Sequence, residues 1–123
     1  MSKPSLAPFI RARPWLRRWV QPIADWYVNS CGYRQVGLLS DDLIPEESDT
    51  VQKALKRLPP KEAYDRVFRL RRAFQLSLQH TILPKEEWTT TAQDRPYLSQ
   101  LIEDIERENK ERQELDAMVP NKK

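Results

Sequence analysis

Apolar positions along this chain recur with a helical period in four stretches, each bounded by proline or glycine. In the first, "PWLRRWVQPIADWYVNSCG", a step of about 100° per residue puts Trp15, Trp19, Ile23 and Trp26 on one side. Arg17, Arg18, Gln21 and Asp25 fall on the other. The pattern predicts an amphipathic helix over 14–31 with an aromatic face. Pro14 suits the first helical position, where its missing N–H would be unpaired in any case. Pro22 should kink or divide the helix, and Gly32 should end it.

The second stretch, 49–58, is capped by Ser48 or Asp49 and carries the stripe Val51, Ala54, Leu55 and Leu58 before Pro59 stops it. Pro60 opens the longest, 60–82, whose stripe Ala63, Val67, Leu70, Phe74 and Leu78, flanked by Tyr64 and Phe68, reads as its core face. Arg66, Arg69 and Arg72 lie nearly opposite, and His80 projects toward them if the helix persists that far. Pro84 disfavours helix in the residue before it and should begin a short turn over 84–90, with Glu86 and Glu87 at its positive end. Asp94 then caps a last helix over 95–117, entered through Pro96, with Tyr97, Leu98, Leu101, Ile102 and Ile105 as the buried face. Beyond Ile105 the pattern is polar all round. Residues 106–123 therefore read as a solvated or partner-bound helix end and tail.

Between these segments, 33–48 shows no period of 3.6 and reads as an extended linker with turns at Gly37 and Pro45. Pro4 and Pro8 interrupt an irregular or partly helical basic arm over 1–13. The expectation is an all-α fold, with 1–123 forming a single small helical domain. At 39% apolar and 32% charged residues, with 10 prolines in 123 residues, the chain is more polar than the roughly 45–50% apolar average. Its core should be thin, with part of its apolar surface left for a partner to cover.

Composition removes several chemistries. Cys31 has no partner for a disulfide, and one Cys with one His cannot supply a four-ligand zinc site. Gly32 and Gly37 are the only glycines, so no phosphate-binding glycine loop can be written. No apolar run approaches the roughly 20 residues that span a bilayer. Cys31 has no basic neighbour nearer than Arg34, and nothing marks it as a thiolate to pair with His80. The acid pairs Asp41–Asp42, Glu46–Glu47 and Glu86–Glu87 would point about 100° apart on a helix, away from any common proton, and read as turn and first-turn residues. No catalytic residue, cofactor ligand or metal ligand is expected.

Charge is uneven: residues 1–24 hold Lys3, Arg11, Arg13, Arg17 and Arg18 without an acid, whereas 103–116 are mixed but acidic. Such a start has the composition of a mitochondrial targeting segment and equally of an arm for anionic lipid or nucleic acid. The tryptophans beside Arg17 and Arg18 suit stacking on bases, a membrane–water interface, or packing on the chain's own helices.

The words "YVNSCGYRQVGLLSDDL", "VQKALKRLPPKEAYDRVFRLRRAFQLSLQHTILPKEEWT" and "RPYLSQLIEDIERENKERQELD" closely resemble the subunit 7 family of the mitochondrial cytochrome bc1 complex, respiratory complex III, also called ubiquinone-binding proteins. The match runs in order from about Trp26 to Asp116. Its densest part is carried by Arg57, Leu58, Pro59, Asp65, Arg66, Phe68, Arg69, Arg72, Ala73, Leu76, Leu78, His80, Leu83, Pro84, Lys85, Glu86 and Trp88.

The resemblance implies an all-helical, non-catalytic subunit, peripheral on the matrix side of the inner membrane, that stabilises cytochrome b and assists its assembly. It would touch the two core proteins and other small subunits, with lipid at its periphery and no nucleic acid. Haems and quinone would reside on cytochrome b, and import would proceed without an obvious cleaved presequence. The alternative, a small basic-arm nucleic-acid-binding protein, would show affinity falling steeply with salt. For contact with a partner or membrane, the candidates are Arg11, Arg13, Trp15, Arg17, Arg18, Trp19, Trp26, Arg66, Arg69, Arg72, His80 and Trp88. The Arg66, Arg69, Arg72 and His80 side should meet carboxylates, lipid phosphates or solvent and could attract protons near the quinone-reduction site. Trp88 would be an apolar anchor.

Overall fold

A computed structural model describes residues 6–118. Residues 1–5 of the arm, with Lys3 and Pro4, and residues 119–123 of the tail lie outside the described residues. Helices and turns make up the described residues, without a strand among them. The chain divides between Gly32 and Tyr33 into two compact units.

The first unit holds α1 (Ala7–Arg11) packed on α2 (Pro14–Ser30). The arm is thus helical over one short piece. Arg13 sits extended at φ −119° before α2, so Pro14 opens the helix with its φ preset. Pro22 forfeits one backbone hydrogen bond but does not divide the helix, which runs unbroken to Ser30. Gly32 at φ +76° ends it as expected, since the left-handed conformation carries no Cβ penalty for glycine. No residue of α2 is buried.

The second unit is built on α3 (Asp49–Arg57), α4 (Pro60–Leu78) and α5 (Ser99–Ala117). Its core is Val51, Ala54, Leu58, Leu98 and Ile105, with Ile44, Leu55, Leu101 and Ile102 packed around them. The stripes expected for the second and last helices are therefore the buried ones. Only Leu98 and Ile105 are large side chains buried to less than 2% exposure, and full burial of such a residue contributes about 1.5–3 kcal/mol. A core this thin needs other ties. Beyond Ile105, α5 is exposed apart from a half-buried Asn109.

Five boundaries or orientations differ from the sequence reading. The helix expected to reach 82 ends at Leu78, because His80 turns left-handed (φ +53°) and Thr81 N–H donates back to the Leu76 carbonyl at 3.0 Å. The last helix starts at Ser99 and not at 95, because Asp94 is engaged elsewhere and does not cap it. The supposed linker forms two 3-10 turns, Tyr33–Val36 and Ser40–Leu43, and buries Leu38, Leu39, Asp41 and Asp42. The turn over 84–90 is a single 3-10 turn, Lys85–Glu87.

The fifth difference is the largest, for α4 is rotated: of its expected core stripe only Ala63, packed on the core, and Leu70 are partly buried. Tyr64, Val67, Phe68, Phe74 and Leu78, expected to face the core, are 77%, 45%, 63%, 68% and 67% exposed, while Arg66 is 4% exposed. Arg69 and Arg72 turn inward beside Ala73, which is buried.

Candidate functional site

The rotation of α4 follows from what the turn residues 37–46 offer it. Asp42, whose side chain is fully buried, accepts from Arg69 Nε at 2.6 Å and Nη2 at 2.9 Å, from the Leu39 N–H at 3.0 Å, and from the Tyr97 hydroxyl. Arg66 lies 3.6 Å from the same carboxylate and donates to the Asp41 carbonyl (3.2 Å), the Tyr97 hydroxyl (2.9 Å) and Glu46 (2.9 Å). Burial alone would raise the Asp42 pKa, but the hydrogen bonds from Arg69, Tyr97 and Leu39 outweigh it and hold the carboxyl below its usual value. The network keeps its charge while dry.

Asp41 points the other way. Its carboxylate accepts from the Leu98 and Ser99 N–H groups, each at 2.8 Å, and from Ser99 Oγ at 2.7 Å. It caps α5 from 58 residues away and places negative charge at the helix's positive end. The two adjacent acids thus serve different helices and share no proton, in keeping with their expected divergence. Arg72 Nη2 reaches the Gly37 carbonyl at 3.2 Å. Gly37 takes φ +75°, which favours glycine, and a Cβ there would make the Arg72 guanidinium shift.

A second cluster ties the loop 83–94 to the turn after α2. Asp94 accepts from Tyr33 Oη (2.6 Å), the Ser40 N–H (2.9 Å) and Arg34 Nη2 (3.0 Å). Burial raises its pKa, yet the Ser40, Tyr33 and Arg34 donors together bring it below normal. Trp88 is half-buried and donates its indole N–H to the Leu83 carbonyl at 2.7 Å, so it pins its own loop.

The candidate residues therefore separate. Arg66, Arg69 and Arg72 gather in the internal network: Arg66 and Arg69 meet carboxylates, as expected of their side, but these are the chain's own and the side does not face outward to a partner or membrane. The cause is the buried carboxylate of Asp42, which a partner or solvent would have to match. His80 is not brought near them: it is exposed and closes α4 in the left-handed conformation. In the first unit Trp15, Trp19 and Trp26 are 62%, 76% and 67% exposed, Arg13 stacks over Phe9 at 4.2 Å, and Arg11 and Arg17 line a cleft between α1 and α2. Sequence reasoning missed Tyr33, Arg34, Gly37, Glu46, Asp94 and Tyr97 as organising residues, and read Asp41 and Asp42 as turn residues only. One signal was available: arginines at 66, 69 and 72 share a helix side with Ala73, and so small a residue permits close approach of another backbone.

Among the described residues no three His, Cys, Asp or Glu side chains are grouped to hold a metal ion, and no helix is long and apolar enough to cross a membrane. The polar side chains of the second unit are used to fix its own helices, and α4 turns five large apolar residues outward. Exposed apolar surface of this kind is more common at interaction sites than on the rest of a protein's surface. The class so defined is a small all-helical protein with an internal ionic hub and an apolar helix face turned outward.

The comparisons make this particular. The family described as "Ubiquinol-cytochrome C reductase complex 14kD subunit" matches residues 14–113. Cytochrome b-c1 complex subunit 7 of Neurospora crassa is 54% identical over 119 residues, 97% of each chain. The subunit 7 of Saccharomyces cerevisiae is 40% identical over 95% of this chain and 92% of its own, and that of Homo sapiens 43% identical over 79% and 86%. The chain belongs to the family of the ubiquinol–cytochrome c reductase complex 14 kDa subunit. Nothing in these matches supports the nucleic-acid-binding alternative.

Proposed function

We propose that the chain is a non-catalytic accessory subunit of respiratory complex III, peripheral on the matrix side of the mitochondrial inner membrane. There it braces cytochrome b, assists its assembly and so supports electron transfer from ubiquinol to cytochrome c. The observation that carries this reading is the outward face of α4, Tyr64, Val67, Phe68, Phe74 and Leu78, in a chain whose relatives are named as subunits of the cytochrome b-c1 complex. Cytochrome b, the two core proteins and other small subunits are the partners, with inner-membrane lipid at the periphery. Haems and quinone stay on cytochrome b.

The physical logic is preorganisation. A docking helix that moved would lose conformational entropy on binding, and the Asp42–Arg66–Arg69 network removes that cost in advance. The arginines hold α4 from behind and leave its apolar side free for a neighbour. Comigration tests this reading: after mild-detergent native separation of mitochondrial membranes, the chain should travel with the cytochrome b haem absorbance. A chain that runs apart from cytochrome b would refute it.

A further inference from the structure

The first unit takes no part in the hub, and its chemistry points to a different ligand. On a helical wheel of about 100° per residue, the apolar positions of α2 form one arc from Trp15 through Trp19, Trp26, Ile23 and Leu16 to Val20 and Ala24. Arg18 lies beyond one edge of the arc and Arg17 beyond the other. Where the arc ends at Val20 and Ala24, a cleft of about 390 Å³ opens between α1 and α2, closed on the far side by Ile10 and lined by Arg11, Arg17 and Gln21.

We infer that the α1–α2 unit binds anionic phospholipid, with Arg11 and Arg17 taking a lipid phosphate at the cleft and the indoles of Trp15, Trp19 and Trp26 lying at headgroup depth. Charge complementarity selects this occupant. Arg11, Arg13, Arg17 and Arg18 stand in a segment whose first acid is Asp25, and none of the four forms an ion pair among the described residues. A guanidinium fork matches a phosphate, and four such groups match a surface of phosphates. The exposed apolar side chains point the same way. A protein groove takes aliphatic and aromatic residues alike, whereas α2 turns out three indoles within 15–26, and indole suits the layer where one end of a ring is apolar and the other wet. An amphipathic helix with arginines at the borders of its apolar arc lies in the interface plane and does not cross it, in agreement with the lack of a spanning helix among the described residues. This deepens the peripheral-membrane part of the proposed function but rests on the first unit alone.

The test uses the purified full chain with Trp88→Phe, so that the remaining tryptophans are those of α2. Vesicles of phosphatidylcholine are compared with vesicles in which roughly one lipid in five is phosphatidylglycerol. The inference predicts a blue shift of indole emission and quenching by brominated acyl chains on the anionic vesicles, with weak partitioning onto neutral ones. Each arginine near an anionic surface is worth roughly fivefold in partitioning, so the Arg11→Gln, Arg17→Gln, Arg18→Gln triple variant should bind on the order of a hundredfold more weakly. Trp19→Ala should weaken binding without altering its dependence on lipid charge. Equal binding to both vesicle types, or wild-type binding by the triple variant, overturns the inference. So does the absence of binding by a chain of normal helicity, which would assign the aromatic face to a protein. No other subunit is present in this assay, so its failure leaves the complex III reading standing, and failed comigration leaves the lipid inference standing.

Discussion

Replacing Asp42 by alanine removes the acceptor on which the second unit is centred. Four donors lose their partner: Arg69 Nε and Nη2 at 2.6 and 2.9 Å, the Leu39 N–H at 3.0 Å, and the Tyr97 hydroxyl. The Arg69 side chain, 14% exposed, then loses its carboxylate, while Arg66, 5% exposed, keeps Glu46 at 2.9 Å. Removing one member of a buried ion pair costs about 3–5 kcal/mol, against a total stability of about 5–15 kcal/mol for a domain. The variant should lose a large part of its stability, and more than any single core truncation other than at Leu98 or Ile105. Asp42→Asn, which keeps the shape and one acceptor but not the charge, should cost about 1.5–3 kcal/mol. Because Asp42 and Arg69 share the bond, Asp42→Ala with Arg69→Met should cost less than the sum of the two by about 0.5–3 kcal/mol. Urea unfolding followed by far-UV circular dichroism measures all four, read as midpoint shifts at constant slope. A loss below about 1 kcal/mol for Asp42→Ala, the size expected of an exposed pair, would refute the reasoning, as would strict additivity in the cycle.

Further outcomes follow from the same contacts. Asp42 and Asp94 are held below their normal pKa, so near pH 4 the folded chain binds fewer protons than the unfolded one; stability should therefore be full above about pH 5 and fall as pH drops through the depressed values, which acid unfolding curves of wild type and Asp94→Asn compare. Gly37→Ala and Gly32→Ala should each cost about 1–2 kcal/mol of left-handed strain in thermal unfolding, and Gly37→Ala the more of the two because only there must the Arg72 guanidinium also shift. His80→Gly should raise stability by about 0.5–1 kcal/mol by relieving the left-handed imidazole residue. His80→Ala should leave the pH profile of quinol oxidation by the complex unchanged, and a shifted profile would return His80 to a role in proton uptake.

The apolar period of α3 and α5 was enough to find their buried faces, because nothing else in the chain competes for Val51, Ala54, Leu98 or Ile105. The same period located α4 but chose the wrong side of it. Amphipathicity states that two faces differ, and not which one the chain itself covers. Arg66 and Arg69 go inward only because Asp42, 27 residues before Arg69, is buried by a turn that has no periodic signal. The start of α5 was misplaced for a related reason. A local cap at Asp94 was the economical reading, whereas the side chain that satisfies the helix end comes from Asp41. The end of α4 depends on a left-handed His80, a conformation that glycine or asparagine would have advertised and histidine does not. The family words were legible throughout; the geometry that turns the apolar face of α4 outward was not.

On the proposed function, the outward apolar face of α4 is covered by neighbours in complex III. Tyr64→Asp combined with Phe74→Asp changes two residues that are 77% and 68% exposed on the outward face, and spares Phe68, over which Arg72 stacks. In isolated form the double variant should keep wild-type helicity and urea midpoint. Expressed in place of the native chain, it should fail to comigrate with cytochrome b in a native separation, with a matching fall in cytochrome b absorbance. A variant that folds normally and still assembles at wild-type level would contradict the account.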